Sequence, residues 1–501
     1  MTLLSRLSGF ARDVLQAALF GANAATDAFT IAYRVPNFLR RIFAEGSFAM
    51  AFVPTLAAVR ARGDRAELRS FLDHVAGMLI LAVSLVTILG ILAAPWIVAA
   101  IAPGTLADPE RFALTGEMLR VVFPYLWFIA LVAFAGGVLN SRGRFALAAF
   151  APVLHNLALI AAMLFLARYF EVPEKALAYG VLLAGVAQLL LLWPALAGSG
   201  EMPRPRLDPT HPGVREVLRR MGPTVFAASV AQINLIVGTA CASLLMVGAQ
   251  SWLWYADRLL ELPLGLFGVA LGTVLLPRLA EGHARDRGED FRDSLSWGIR
   301  TCLLIALPAA VGLALLAEPL VGAIYQRAAF SVYDARMTAA ALSLLAWGLP
   351  GFMLAKILLS AFYARGETRQ PMRIALATVA VNLLLLGVLL PLMLWLEDAA
   401  PHAAIAGATA VAGNAQALFL LRALRREALL PPKEGRAGWR PLLASAVMSL
   451  ALAWILAVLP SWTVLGTAGR WALIGAAIAA GAAVYAAALL LLGWRPRELL
   501  R

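Results

Sequence analysis

Twelve ionisable side chains interrupt apolar stretches of this 501-residue chain: Arg6, Arg12, Asp13, Asp27, Arg34, Arg40, Arg41, Glu45, Asp257, Arg258, Glu261 and Lys356. At the centre of a bilayer-spanning helix a charge costs at least ~2.5–3.5 kcal/mol on insertion scales, so such residues persist where they face a watery cavity or one another. Cations outnumber acids here by seven to five. Arginine is a planar, permanently charged fork that matches phosphate oxygens. A cavity with surplus arginine should therefore attract an anion, and a pyrophosphate fits best; a cation exporter would need surplus carboxylate. Plainer readings compete. Asp13 can simply neutralise Arg12, Asp257, Arg258 and Glu261 can form a structural salt-bridge set, and Arg34, Arg41 and Lys356 can snorkel to an interface.

Other chemistry is not encoded at recognisable spacing. The five histidines are scattered, Cys241 and Cys302 sit in apolar segments without ligand spacing, and no GxxxxGK[ST] string occurs. Asp108, Glu110, Glu171 and Glu174 show no paired spacing of the kind an enzyme would need. No catalytic residue, cofactor or metal is expected, and no cleavable signal peptide is visible. The chain reads as a transporter, not an enzyme.

The elements that must hold these charges follow from composition. The apolar share is 61% and the charged share 14%, against about 45–50% and about 25% in soluble domains. Val75–Ala102, Pro371–Leu396 and Trp471–Leu492 each exceed the roughly 20 residues that cross a ~30 Å hydrocarbon core. Backbone groups find no water there, so the runs must be helices. The expected fold is an all-α polytopic membrane protein with about fourteen transmembrane helices, at 1–22, 27–58, 75–102, 117–140, 148–168, 176–197, 222–247, 252–277, 299–325, 337–363, 371–396, 402–423, 440–460 and 471–493. Lysine and arginine in the connections alternate between rich and poor with every span, 28 to 7 in all. The rich side is cytoplasmic by the positive-inside rule, with both termini inside. The net charge of +13 is thus mostly a topology signal, and no nucleic-acid partner is expected. Trp96, Trp193, Trp462 and Trp494 fall near span ends, as an interfacial aromatic belt requires.

Internal similarity organises the spans. Ala32-Tyr33-Arg34, Pro54, Arg142-Gly143 and Asn156 find counterparts in Ala256-Asp257-Arg258, Pro277, Arg365-Gly366 and Asn382. The four spacings agree to within three positions. One repeat unit holds six helices. Two such lobes, oriented alike, are expected to be related by an axis along the membrane normal, with substrate between them. The expected division is an N-lobe at 1–197, a basic cytoplasmic linker at 198–221, a C-lobe at 222–424, and 425–501 as a cytoplasmic loop, two further helices and a short tail. Taking about 100° per residue, Arg34, Arg41 and Glu45 share one side of the second span, with Asn37 and Arg40 turning away from it. Pro36 should bend or break that helix. Span eight, its repeat counterpart, carries Asp257, Arg258 and Glu261.

The strings SRLSGFARD (Ser5–Asp13), ATDAF (Ala25–Phe29), PNFLRRIFAEGSFAMAFVP (Pro36–Pro54) and YADRLLELPLGLFGVALGTVLLP (Tyr255–Pro277) resemble the MurJ (MviN) family of lipid II flippases, within the multidrug/oligosaccharidyl-lipid/polysaccharide exporter superfamily. Weaker similarity extends over nearly the whole chain and fades in the last two spans. The resemblance implies fourteen helices, a cationic central cavity with essential arginines at Arg6, Arg12, Arg40 and Arg258, an important acid at Asp27, and a groove for the undecaprenyl tail at spans thirteen and fourteen. It also implies further residues upstream of Ser5-Arg6, so the native start is expected before Met1. Carboxylates for a sodium site are missing from spans seven and eleven, which offer Gln232, Asn234 and Asn382.

Together these readings give a lipid flippase carrying undecaprenyl-pyrophosphate-linked lipid II between leaflets, with Arg6, Arg12, Asp27, Asn37, Arg40, Arg41, Glu45, Asp257, Arg258 and Glu261 facing the cavity. The expected partners are lipid II, membrane lipids and the cell-wall synthesis machinery. The alternatives are a flippase for another lipid-linked oligosaccharide, or a multidrug/cation antiporter of the same superfamily.

Overall fold

A computed structural model describes residues 2–40, 47–285, 288–396, 400–430, 438–458 and 461–495. They form twenty α-helices: α1 (Thr2–Phe20), α2 (Ala24–Arg40), α3 (Ser47–Ala61), α4 (Arg65–Leu92), α5 (Ala94–Ile101), α6 (Pro109–Val122), α7 (Tyr125–Asn140), α8 (Phe145–Ala161), α9 (Lys175–Ala197), α10 (Pro212–Ser243), α11 (Ala249–Pro263), α12 (Val269–Ala284), α13 (Gly288–Leu315), α14 (Ala317–Ile324), α15 (Val332–Ala346), α16 (Leu349–Ala364), α17 (Arg369–Trp395), α18 (Ala403–Arg426), α19 (Trp439–Val458) and α20 (Thr467–Leu491). No strand occurs among the described residues.

Grouping helices that follow one another across short breaks, α2 with α3, α6 with α7, α11 with α12 and α15 with α16, and leaving aside the short α5 and α14, gives fourteen helical passes in the expected order. Among the described residues nine helices are long and apolar enough to cross a membrane, ten counting the bent pair α15–α16. The remaining passes are α1, α2–α3, α10 and α11–α12. Three of these four hold nearly all of the intramembrane charges. Leu85, Ile88, Leu89 and Leu92 of α4, and Leu384 and Val388 of α17, are exposed. Such apolar faces belong in lipid. This is a polytopic, all-helical membrane protein.

The chain falls into two compact units, Met1–Ser251 and Trp252–Arg501. Their secondary structure repeats helix by helix. The starts of α4 to α8 at Arg65, Ala94, Pro109, Tyr125 and Phe145 recur, at a spacing constant to within one position, as the starts of α13 to α17 at Gly288, Ala317, Val332, Leu349 and Arg369. Start signals repeat too. Asp108 caps α6 by accepting from the amides of Glu110 and Arg111. Its repeat counterpart Ser331 caps α15 in a reciprocal box with Asp334. Such caps satisfy amides that a helix start leaves orphaned. Gly143 and Gly366 carry φ of +75° and +70°, which L-residues with a Cβ adopt only under strain.

In the first unit α7 is central, packing on α4, α8 and α9, while α2 packs on α6 and α1 on α8. The arginine-rich connections gather at one end. Arg60 and Arg142 both reach Glu201, at 2.8 and 3.3 Å. At the arginine-poor end Asn23 donates to Glu174 at 2.7 Å. The stretch expected as a linker up to 221 is non-helical only as far as His211. From Pro212 the chain is already α10, because proline suits the first helical position, His211 caps the Gly213 amide, and Glu216 pairs with Arg219 and Arg220 one turn on. α10 then packs on α3, α4 and α5 within the first unit.

In the second unit α16 packs on α12, α13 and α18, and α17 on α18. The closing hairpin α19–α20 lies on α13 and α14, burying Met448, Leu452 and Ala477 against Val311 and Leu316. Trp462, expected in an interfacial belt, is instead buried. Its indole donates to Glu318 at 3.2 Å, its ring sits where a Cβ on Gly322 would go, and Arg470 lies 5.4 Å over it. Burial leaves no polar group of the ring unsatisfied, because the indole N–H has its partner. Trp96 remains highly exposed.

Candidate substrate-binding site

The first cluster is assembled where α1 lies on α8. Gly9 permits the approach: a Cβ there would stand 3.4 Å from the Asn156 amide nitrogen. Asn156 donates to the Ser5 carbonyl at 3.1 Å and the Ser8 hydroxyl at 3.0 Å. Its carbonyl oxygen accepts from Arg12 Nη1 at 3.1 Å. Asp13 accepts from the other edge of the same guanidinium, from Nε at 3.1 Å and Nη2 at 2.6 Å. Arg12 is thus held from two sides, with its side chain 11% exposed and that of Asp13 6%. Pairing with Asp13 was one of the plainer readings, and the ion pair is present. A guanidinium carries five N–H donors, so the three used here fix its plane without exhausting it.

Arg40 ends α2. Its Nε and Nη2 donate to Asn37 Oδ1 at 3.1 and 2.9 Å, one helical turn back. A neutral amide orients the fork. α2 continues through Pro36 to Arg40 before α3 begins at Ser47. His155, beside Asn156 on α8, lies close enough to both Arg12 and Arg40 to feel their charges. Arg12 is joined to α8 at this point through Asn156. Arg6 is half-buried on α1, a turn and a half before Arg12. Arg41 and Glu45 lie outside the described residues.

Asp27 is placed differently. It is fully buried and accepts four hydrogen bonds: from Arg111 Nη2 at 3.2 Å, the Gly248 amide at 2.8 Å, the Ser251 amide at 2.9 Å and the Ser251 hydroxyl at 2.7 Å. An ionised carboxylate offers about four acceptor positions; here all are in use. Its chemistry in this arrangement is to tie α2 to α6 and to the start of α11. A corresponding clasp exists in the second unit, where Trp252 Nε1 donates to Asp334 at 2.9 Å. Asp334 occupies the repeat position of Arg111, and Trp252 falls next to that of Asp27.

In the second unit Arg258 of α11 donates to Glu261 at 2.7 Å and lies 4.5 Å over the Trp254 ring. Arg258 is half-buried, as its flanking Trp254 is, while Glu261 is exposed. Asp257 precedes Arg258 on the same helix and is exposed. Lys356 is half-buried on α16, with Gly268 opening room beside its aliphatic stem.

Arg111 and Asn156 were not among the expected site residues. Arg111 counted only as a charge on the arginine-poor side; nothing in its spacing links it to Asp27 on a distant helix. Asn156 did leave a signal as a landmark of the repeat. Among the described residues no group of three His, Cys, Asp or Glu could hold a metal ion.

Comparison with known proteins gives the same picture from outside. The profile of the family described as "Lipid II flippase MurJ" matches residues 16–473. A protein of Haemophilus influenzae named "Probable lipid II flippase MurJ" is 38% identical over 520 residues, covering 100% of this chain and 99% of that protein. The "Lipid II flippase MurJ" of Burkholderia cenocepacia is 39% identical, covering 99% and 96%. Among solved structures, "Lipid II flippase MurJ, inward closed conformation" superposes with a TM-score of 0.82 at 25% identity, covering 100% of this chain and 98% of that one. An inward-facing multidrug-resistance MATE transporter shares the fold at a TM-score of 0.67 and 15% identity, covering 85% of this chain and 95% of that one. With the duplicated helices and these relatives in agreement, the chain belongs to the lipid II flippase MurJ family, a family of multi-pass inner-membrane transporters.

Proposed function

We propose that this chain carries lipid II, the undecaprenyl-pyrophosphate-linked peptidoglycan precursor, from the cytoplasmic to the periplasmic leaflet by alternating access. The observation that carries the reading is the way Arg12 and Arg40 are held. Each guanidinium is fixed by a neutral asparagine, Asn156 or Asn37, and Arg12 has Asp13 bonded to it as well. A guanidinium fork held in a fixed plane matches phosphate oxygens, and fork-to-phosphate pairing is both strong and directional. In this reading Arg6, Arg12, Arg40 and Arg258 engage the pyrophosphate during the cycle. Arg41, Glu45, Asp257 and Glu261 set the local charge, and Asp27 acts by anchoring α2. The exposed apolar surface of α19–α20 serves the polyprenyl chain. The arginine-rich ends face the cytoplasm, with both termini inside. No covalent step is involved, and membrane potential can drive the cycle through the cavity charge, at ~2.3 kcal/mol per charge per 100 mV.

The rival on the same fold, a cation antiporter, needs surplus carboxylate where this chain has surplus arginine. Replacing Arg258 by alanine in a strain depleted of its own flippase tests the proposal. The variant should insert normally, fail to restore growth, and leave lipid II on the cytoplasmic leaflet. Full complementation by the variant would overturn the reading.

A further inference from the structure

A second cationic site lies at the arginine-rich end of the first unit, apart from the cluster around Asn156. A cleft of about 980 Å³ opens between the end of α3, the start of α4, the α7–α8 turn and the segment after α9. Five guanidinium groups line it, from Arg60, Arg65, Arg69, Arg142 and Arg206, against the carboxylates of Asp64, Asp73 and Glu201. The acids are already engaged. Glu201 takes Arg60 through both oxygens and Arg142 through one. Asp64 caps α4, and Asp73 accepts the Arg204 amide at 2.7 Å. Arg65, Arg69 and Arg206 make no ion pair among the described residues.

The internal repeat serves as a control for what the fold itself requires. The Arg142–Glu201 pair recurs as Arg365–Glu427, so that clip belongs to the architecture. The surplus recurs only in part: the second copy keeps an arginine, Arg292, at the repeat position of Arg69, but has Gly288 at that of Arg65. Five cations against three carboxylates leave the cleft a surplus of two positive charges; like charges in excess repel, and an anion is what would relieve them. The wall is also rigid. The Arg206 amide donates to the Asp73 carbonyl at 3.0 Å, and the strap runs so close to α4 that a Cβ on Gly77 would stand 2.2 Å from the Arg206 carbonyl oxygen. Arg206 is therefore presented from a fixed backbone.

Depth selects the ligand. The apolar run of α4 begins at Val75, less than two helical turns after Arg69, or about 9 Å at ~1.5 Å per residue. The headgroup layer is roughly 5–8 Å thick on each side of the hydrocarbon core, within reach of a snorkelling guanidinium. Basic pockets between helices at this level bind anionic headgroups. We propose that the cleft is a binding site for the phosphodiester headgroup of an anionic phospholipid in the adjacent leaflet, with Arg65, Arg69 and Arg206 as its phosphate ligands.

The test uses the full chain and the triple variant Arg65→Gln/Arg69→Gln/Arg206→Gln, which spares Arg60, Arg142 and Glu201. Both are reconstituted in phosphatidylcholine nanodiscs containing phosphatidylglycerol, extracted, and scored for retained phosphatidylglycerol by native mass spectrometry. Retention should fall about tenfold in the triple variant, with its helicity unchanged, and should not fall in Arg120→Gln, which removes an exposed charge at the opposite end. The single variants Arg65→Gln and Arg206→Gln should each show part of the loss should the triple variant fail to fold. Equal retention by wild type and variants overturns the site. Displacement of the lipid by millimolar inorganic phosphate, with equal thermal protection, overturns the lipid assignment in favour of a free anion.

Discussion

Replacing Asp27 by asparagine should be the most damaging conservative change in the first unit. The side chain is fully buried, and its partner Arg111 is 5% exposed. Asparagine keeps one acceptor oxygen but turns the other position into a donor facing the Gly248 amide or Arg111. The charge of Arg111 is then left buried without a counterion, and breaking one side of such a pair costs about 3–5 kcal/mol. For a unit of this size each kcal/mol shifts the midpoint by roughly 2–4 °C. A fall on the order of 10 °C is expected in a fluorescence-detected thermal melt of the detergent-solubilised protein. Arg111→Met should cost less, because Asp27 keeps its three bonds from Gly248 and Ser251. Asp27→Asn/Arg111→Met should be more stable than Asp27→Asn alone, since the second change removes the orphaned charge. A double variant as unstable as the sum of the two singles, or an Asp27→Asn protein that melts like wild type, would refute the account of Asp27 as an anchor.

Other perturbations probe the remaining contacts. Asn156→Leu removes the acceptor that fixes Arg12 and two bonds to α1. The lost charged hydrogen bond alone is worth about 1.5–3 kcal/mol, and the variant should reach the membrane yet support flipping poorly in a lipid II translocation assay. Gly143→Ala and Gly366→Ala each force a left-handed residue, costing about 1–2 kcal/mol apiece. Measured melts should show the two losses adding, as for sites without shared partners. Acidification should loosen the start of α10. Burial, with the neighbouring His74 charge, holds the His211 imidazole below its usual range, and Asp208 opposes this only in part. Because the folded value is depressed, the stability it contributes is present above the unfolded value near ~6.5 and is lost as pH falls through the folded value. Hydrogen exchange of the 213–216 amides, corrected for intrinsic rates, should quicken below about pH 6.5 in the wild type and stay flat in His211→Asn.

Much of this molecule is written along the chain. Length and hydropathy of each run fix a helix that crosses lipid, because the backbone there has no other partner. Alternating arginine marks the connections, and the repeat appears as a fixed spacing between motifs such as Arg142-Gly143 and Arg365-Gly366. These signals are local, or are copied at a constant distance, so they survive without coordinates. Which charge meets which is different information. Asp27 and Arg12 read alike as ionisable residues in early spans, yet packing surrounds one with Arg111, Gly248 and Ser251 and presents the other on Asn156. Those partners lie on helices far off in the chain and are chosen by which helix faces touch. Period and propensity along a single helix carry no record of that choice. Trp462 makes the same point: its place near a span end was legible, but Glu318, Gly322 and Arg470 decided that it would be buried there.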